Sequence, residues 1–217
     1  METNRCIVVH QLLLMEGIVR MPADKDAKPE VRLTRSIVLV GLMGAGKTSV
    51  GRRLASVLDA SFFDSDHEIE LAAGLEVREI FERFGEKYFR EGEKRVISRL
   101  LQQEPAIIAT GGGAYMSSEI RQEIADKGVA VWIRGDLELL WSRVKDKPTR
   151  PLLARPDAKE VLVGLMKDRY PVYGEAQVIV DSEKSVPHEK MAQKILASVQ
   201  EFDQKHPENS PSLVKGT

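Results

Sequence analysis

Apolar residues along this chain gather into short continuous runs, and between the runs they recur at helical spacing. Ser36–Val40, residues 60–64, Pro105–Ala109, Val129–Ile133 and Gln177–Val180 read as five strands buried on both faces. Val50, Leu54, Val57 and Leu58 predict a helix after the first strand, and Glu68–Ala72 a short one after the second. From Glu76 to Gln103 the stripe Val77, Ile80, Phe81, Phe84 breaks at Gly85-Glu86 before Phe89, Val96, Ile97 and Leu100, which predicts two helices. Further helices are predicted from Ser117 or Ser118 to Lys127, over Asp136–Val144, over Ala158–Tyr170 and over Pro187–Glu201, with Pro171 expected to kink or end the third of these. Five strands alternating with helices predict a parallel sheet covered on both faces, with ligands gathered at the strands' carboxyl ends.

The regions outside this alternation differ in composition. Residues 1–35 read as an extension and linker: the apolar run Cys6–Met15 is too short and interrupted to span a bilayer, and Met21–Arg35 is charged and proline-bearing. A secretory signal fits poorly, because only Arg5 precedes the run and no A-x-A-like site follows; Met15 and Met21 remain open as alternative starts. Residues 36–202 form the expected domain. Within it, 145–157 is basic and proline-interrupted, as suits a lid ordered by nucleotide phosphates, and a plain exposed connection is the alternative. Residues 203–217 read as a flexible tail.

Charge narrows the partners. With 32 Lys and Arg against 33 Asp and Glu the net charge is −1, so no positive field favours a nucleic-acid backbone. Cys6 is the only cysteine, which excludes an intrachain disulfide and a multi-cysteine zinc site and agrees with a reducing compartment. The expected state is a cytoplasmic monomer with no nucleic-acid or membrane partner.

The strongest chemical signal follows the first strand. Gly41, Gly44, Gly46, Lys47 and Thr48 fit the phosphate-loop pattern G-x-x-x-x-G-K-[ST] between a strand and a helix. Backbone N–H groups over 44–49 (Gly44, Ala45, Gly46, Lys47, Thr48, Ser49) can cradle phosphate, Lys47 reaches the β- and γ-phosphates, and the Thr48 hydroxyl suits Mg²⁺. Asp64 and Asp66 end the second strand and would lie side by side if it stays extended, although Asp66 could instead cap the following helix. Gly111, Gly112 and Gly113 follow the third strand and leave bare backbone at the crevice edge, a flexible turn being the bland alternative. Arg90, flanked by acids, reads on its own as a solvated face paired with Glu86 or Glu93.

Together GLMGAGKTSVGR, FFDSDHEIE, FGEKYFREGE, TGGGA, TRPLL and DRYPVYGEA closely resemble the shikimate kinase family, from Ser36 to the final helix. The resemblance implies a three-layer α/β P-loop kinase fold related to nucleoside monophosphate kinases, with strand order 2-3-1-4-5 and a lid. It implies transfer of the ATP γ-phosphate to the 3-hydroxyl of shikimate, with Mg²⁺ on Thr48 and, through water, Asp64. By the same resemblance Asp66 binds the ring hydroxyls and helps take the acceptor proton, while Arg90 and Arg169 grip the carboxylate. Gly112 and Gly113 would touch the substrate, Lys47 and Arg150 would neutralise the transferring phosphate, and Arg143 would stand near the adenine. A gluconate or nucleotide kinase would share the phosphate loop, and a regulatory nucleotide-binding module would keep it without transfer. Neither calls for Asp66, Arg90, the glycines and Arg169 together.

Overall fold

The computed structural model describes residues 31–145 and 157–216. Within them the five apolar runs form strands, β2 (Ser36–Val40), β3 (Ser61–Asp64), β4 (Ala106–Ala109), β5 (Gly128–Arg134) and β6 (Val178–Asp181), but the expected burial on both faces fails at the sheet's edges, where β3 has no fully buried residue and β6 alternates buried with exposed. They pair in parallel in the order β3-β4-β2-β5-β6, the expected 2-3-1-4-5 sequence counted from the first long strand. Every residue of β2 and β4 is buried, as a parallel sheet covered on both faces requires. Each large aliphatic side chain there contributes on the order of 1.5–3 kcal/mol by leaving water.

Helices α1 (Lys47–Leu58), α2 (Ser65–Ala73), α3 (Val77–Leu101), α4 (Ser118–Lys127), α5 (Leu137–Val144), α6 (Ala158–Tyr173) and α7 (His188–Lys205) cover the sheet. Close approach of α1 depends on Gly51, where a Cβ would fall 2.6 Å from the Phe62 ring. The break expected near Gly85 appears as a kink inside α3, with Gly85 at φ 79°, ψ 174°. Tilted stacking of Phe81 on Phe89 packs the two arms together across it.

Three further expectations need correction. The helix after β3 starts at Ser65 rather than Glu68, and its cap is Asp64, whose carboxylate accepts from Asp66 N at 3.2 Å. The chain therefore leaves the extended conformation between the two aspartates, and Asp66 sits in the first helical turn. Pro171 does not end its helix at Tyr170: α6 runs on to Tyr173, because a missing N–H so near the end leaves few hydrogen bonds to lose. Residues 31–35 and 206–216 also carry structure expected to be absent from a linker and a tail. β1 (Val31–Leu33) pairs antiparallel with β7 (Leu213–Lys215), and Thr34 and Arg35 donate to Pro211 and Ser210 carbonyls. Asp203 holds the turn by accepting from Ser212 N, Ser212 Oγ and Leu213 N.

Candidate active site

The phosphate loop leaves β2 at its carboxyl end. Gly41 takes φ 141°, and a Cβ there would lie 2.7 Å from the Ile133 carbonyl, so the loop folds tightly against β5 only with glycine at its start. At the other end Gly46 is the cap of α1 and offers no side chain to the first-turn N–H groups, the kind of helix start that can receive an anion. Ala45 is buried and its N–H is used internally on Leu42 O, whereas Ser49 is exposed. Lys47 folds back over the loop, donating from Nζ to Gly41 O at 2.7 Å and Leu42 O at 3.1 Å. Arg143 braces the loop from α5, reaching Gly44 O at 3.1 Å and Ser182 Oγ at 3.1 Å; burial lowers its pKa.

Next to the loop, Thr48 Oγ1 donates to Asp64 Oδ2 at 2.8 Å. A hydroxyl and a carboxylate thus meet at the head of α1, the hard oxygen set that magnesium prefers. Among the described residues no three His, Cys, Asp or Glu side chains form a group that could hold a metal ion.

The triple glycine follows β4 and is tied at its start. Thr110 Oγ1 donates to Leu39 O at 3.0 Å, and Gly111 N donates to the buried Ser65 Oγ at 2.9 Å. Each glycine then faces a different charged side chain. A Cβ on Gly111 would lie 2.5 Å from Asp66 Oδ1 and 2.9 Å from Glu93 Oε1; on Gly112 it would lie 3.1 Å from Arg169 Nη1; on Gly113 it would overlap the Arg90 guanidinium. Asp66, Arg90, Gly112, Gly113 and Arg169, drawn from β4, α2, α3 and α6 or the turns beside them, therefore meet at one place beside the phosphate loop. Arg150 lies outside the described residues.

Within this crevice the half-buried Asp66 and the buried Glu93 face guanidinium groups. Burial, then the neighbouring Asp64 charge, raise the Asp66 pKa, against the opposing pull of Lys47 and Arg90. Arg90 donates to Glu93 Oε2 at 2.7 Å and to Glu86 Oε1 at 3.2 Å, so the sequence reading of this pair as a solvated face holds only for Glu86. Glu93 is 1% exposed and its pKa is raised chiefly by burial. Asp66 Oδ1 and Glu93 Oε1 are buried without a hydrogen-bond partner in the structure.

Sequence reasoning missed Glu93, Ser65 and Tyr173. Glu93 is signalled only by standing three residues after Arg90, a spacing that solvated pairs share. Tyr173 stands four after Arg169, which places both on one face if the helix continues through Pro171. Both reach the same atom: Arg169 Nη1 donates to Gly112 O at 2.7 Å, and the Tyr173 hydroxyl donates to that carbonyl as well.

Comparison with known proteins agrees with this assembly. The family model described as shikimate kinase matches residues 43–200. A shikimate kinase of Paramagnetospirillum magneticum is 53% identical over 156 residues, 72% of this chain and 80% of the relative. One from Caulobacter vibrioides is 50% identical over 167 residues, covering 77% and 83%. Among solved structures, the shikimate kinase from Acinetobacter baumannii in complex with shikimate superposes with a TM-score of 0.71 at 39% identity, over 75% of this chain and 90% of that one. With the phosphate loop, the sheet order and the sequence in accord over most of its length, this chain belongs to the shikimate kinase family.

Proposed function

We propose that this chain moves the γ-phosphate of ATP to the 3-hydroxyl of shikimate, acting as a cytoplasmic monomer with the residue roles that follow. The observation that carries the reading is the triple glycine, where three successive missing side chains leave room beside Asp66, Arg169 and Arg90 in turn. An acid with ring hydroxyls fits that outline. Two guanidinium groups with planar, bidentate geometry suit its carboxylate, and a carboxyl with a raised pKa suits a hydroxyl that must lose a proton.

Phosphoryl transfer asks mainly for alignment and charge compensation. Lys47 is held over the loop where the β- and γ-phosphates would lie, the first-turn amides of α1 bind their oxygens, and Asp66 accepts the acceptor proton. Arg150 is assigned the remaining compensation at the transferring group. Thr48 and, through water, Asp64 would hold Mg²⁺, which when bound supplies charge neutralisation to the phosphates. No helix among the described residues is long and apolar enough to cross a membrane.

A coupled ADP-release assay with shikimate and with gluconate tests the assignment. Turnover with shikimate and only background with gluconate is expected. The reverse preference would move the chain's activity to another small acid.

A further inference from the structure

Helix α6 does more than deliver Arg169. Its two tyrosines each donate to a loop carbonyl: Tyr170 to Gly135 O, in the turn between β5 and α5, and Tyr173 to Gly112 O. Tyr173 is fully buried, packed against Trp132 and Tyr115 at ring distances of 5.8 and 6.4 Å, so its hydroxyl has little freedom to turn elsewhere. A trans peptide sets its C=O and N–H in opposite directions. Holding the Gly112 carbonyl toward α6 therefore aims the Gly113 N–H away from α6, in a loop whose Gly113 lies against the Arg90 guanidinium. Neither the Gly112 nor the Gly113 N–H donates a hydrogen bond among the described residues, so both are left for a ligand.

We propose that Tyr173 is a positioning residue for the acid substrate, its hydroxyl fixing the Gly112–Gly113 peptide so that the Gly113 amide serves the substrate beside Arg90. The inference rests on the reading of this crevice as the shikimate site. It also separates two demands on Arg169. Without the tyrosine hydroxyl, Arg169 alone anchors Gly112 O, and turning toward a carboxylate would release the loop that must meet the same substrate. With Tyr173 present, Arg169 can engage the acid while the peptide stays in place.

The test compares Tyr173→Phe, which keeps the ring, with Tyr173→Leu, which removes it. Tyr173→Phe is expected to raise the shikimate KM about tenfold, the scale of one hydrogen bond in a buried site. Its ATP KM should stay within about twofold, because the hydroxyl does not touch the phosphate loop, and Tm should fall by no more than about 4 °C. Tyr173→Leu should add a larger drop in Tm from the cavity left by the ring. A wild-type shikimate KM in Tyr173→Phe, with only Tyr173→Leu affected, would show that packing alone matters and overturn the proposal. An equal rise in both KM values would overturn it too. Calorimetry with shikimate on the wild type distinguishes the deeper failure: absence of binding there would overturn the reading of the site and the proposal with it.

Discussion

Burial raises the Asp66 carboxyl above the ordinary range, so in the folded protein its charge is maintained against its surroundings. An aspartate in an unfolded chain ionises at about 3.9. Between that value and the raised one the folded state binds more protons than the unfolded state, so stability falls as pH rises through this window. Asp66→Asn removes that penalty. The variant should melt higher than wild type at neutral pH, with the gap closing toward pH 4, while kcat falls by roughly 10²–10⁴ through loss of the proton acceptor. Melting across pH together with ADP release checks both halves, and an unchanged kcat would take away the general-base role. At this scale the phosphate-loop residues were legible from spacing alone and Asp66 from its place after a strand, whereas Arg90 and Arg169 became legible only through the joint motifs. Glu93 was hidden because a glutamate three residues from an arginine looks the same on a solvated helix and in a buried crevice. What distinguishes the two is the direction in which α3 packs, and that is settled by contacts far away in sequence.

Kinks and caps decide where the helices hold those residues. Gly85 separates the arm of α3 that carries Phe81 from the arm that carries Arg90 and Glu93, and nothing lies within 4 Å of a Cβ placed on it. The effect of Gly85→Ala is therefore conformational rather than steric. A non-glycine residue in this region costs about 1–3 kcal/mol, which for a chain of this size lowers Tm by roughly 2–12 °C. Shikimate KM should rise with it, since Arg90 is carried on the far arm, and ATP KM should stay unchanged. Thermal melting and steady-state kinetics would show this, and an unaltered Tm would mean the kink is not needed. The break in the hydrophobic stripe foretold the kink well, because the register of a buried stripe is local information. Two helix boundaries were less legible. Asp64 and Asp66 are equally good caps by composition, and the closing of α2 onto the triple glycine through Ser65 favours the earlier one. At Pro171 the local rule against a helix gives way to tertiary anchoring of Tyr170 and Tyr173.

Across the whole molecule, the parallel order of five strands was readable from their alternation with helices, but the small antiparallel ribbon was not. Three-residue strands formed by segments almost the whole chain apart leave no periodic trace. Their energetic role is testable by stepwise deletion. Removing residues 1–30, whose final stretch is charged and proline-bearing, should leave activity and Tm nearly unchanged. Removing 1–35 also deletes β1 and the Arg35 guanidinium, which donates to Ala125 O and Gly128 O at the end of α4, and should lower Tm by several degrees, at about 2–4 °C per kcal/mol. Equal Tm for the two truncations would show the ribbon to be dispensable. The ribbon has another consequence. Because Val31 stands opposite Lys215 in its register, the outer ends of β1 and β7 lie one strand spacing apart, about 5 Å. A few glycines could join them, so that the chain could be opened at an exposed turn such as 182–187 and the same enzyme made as a circular permutant.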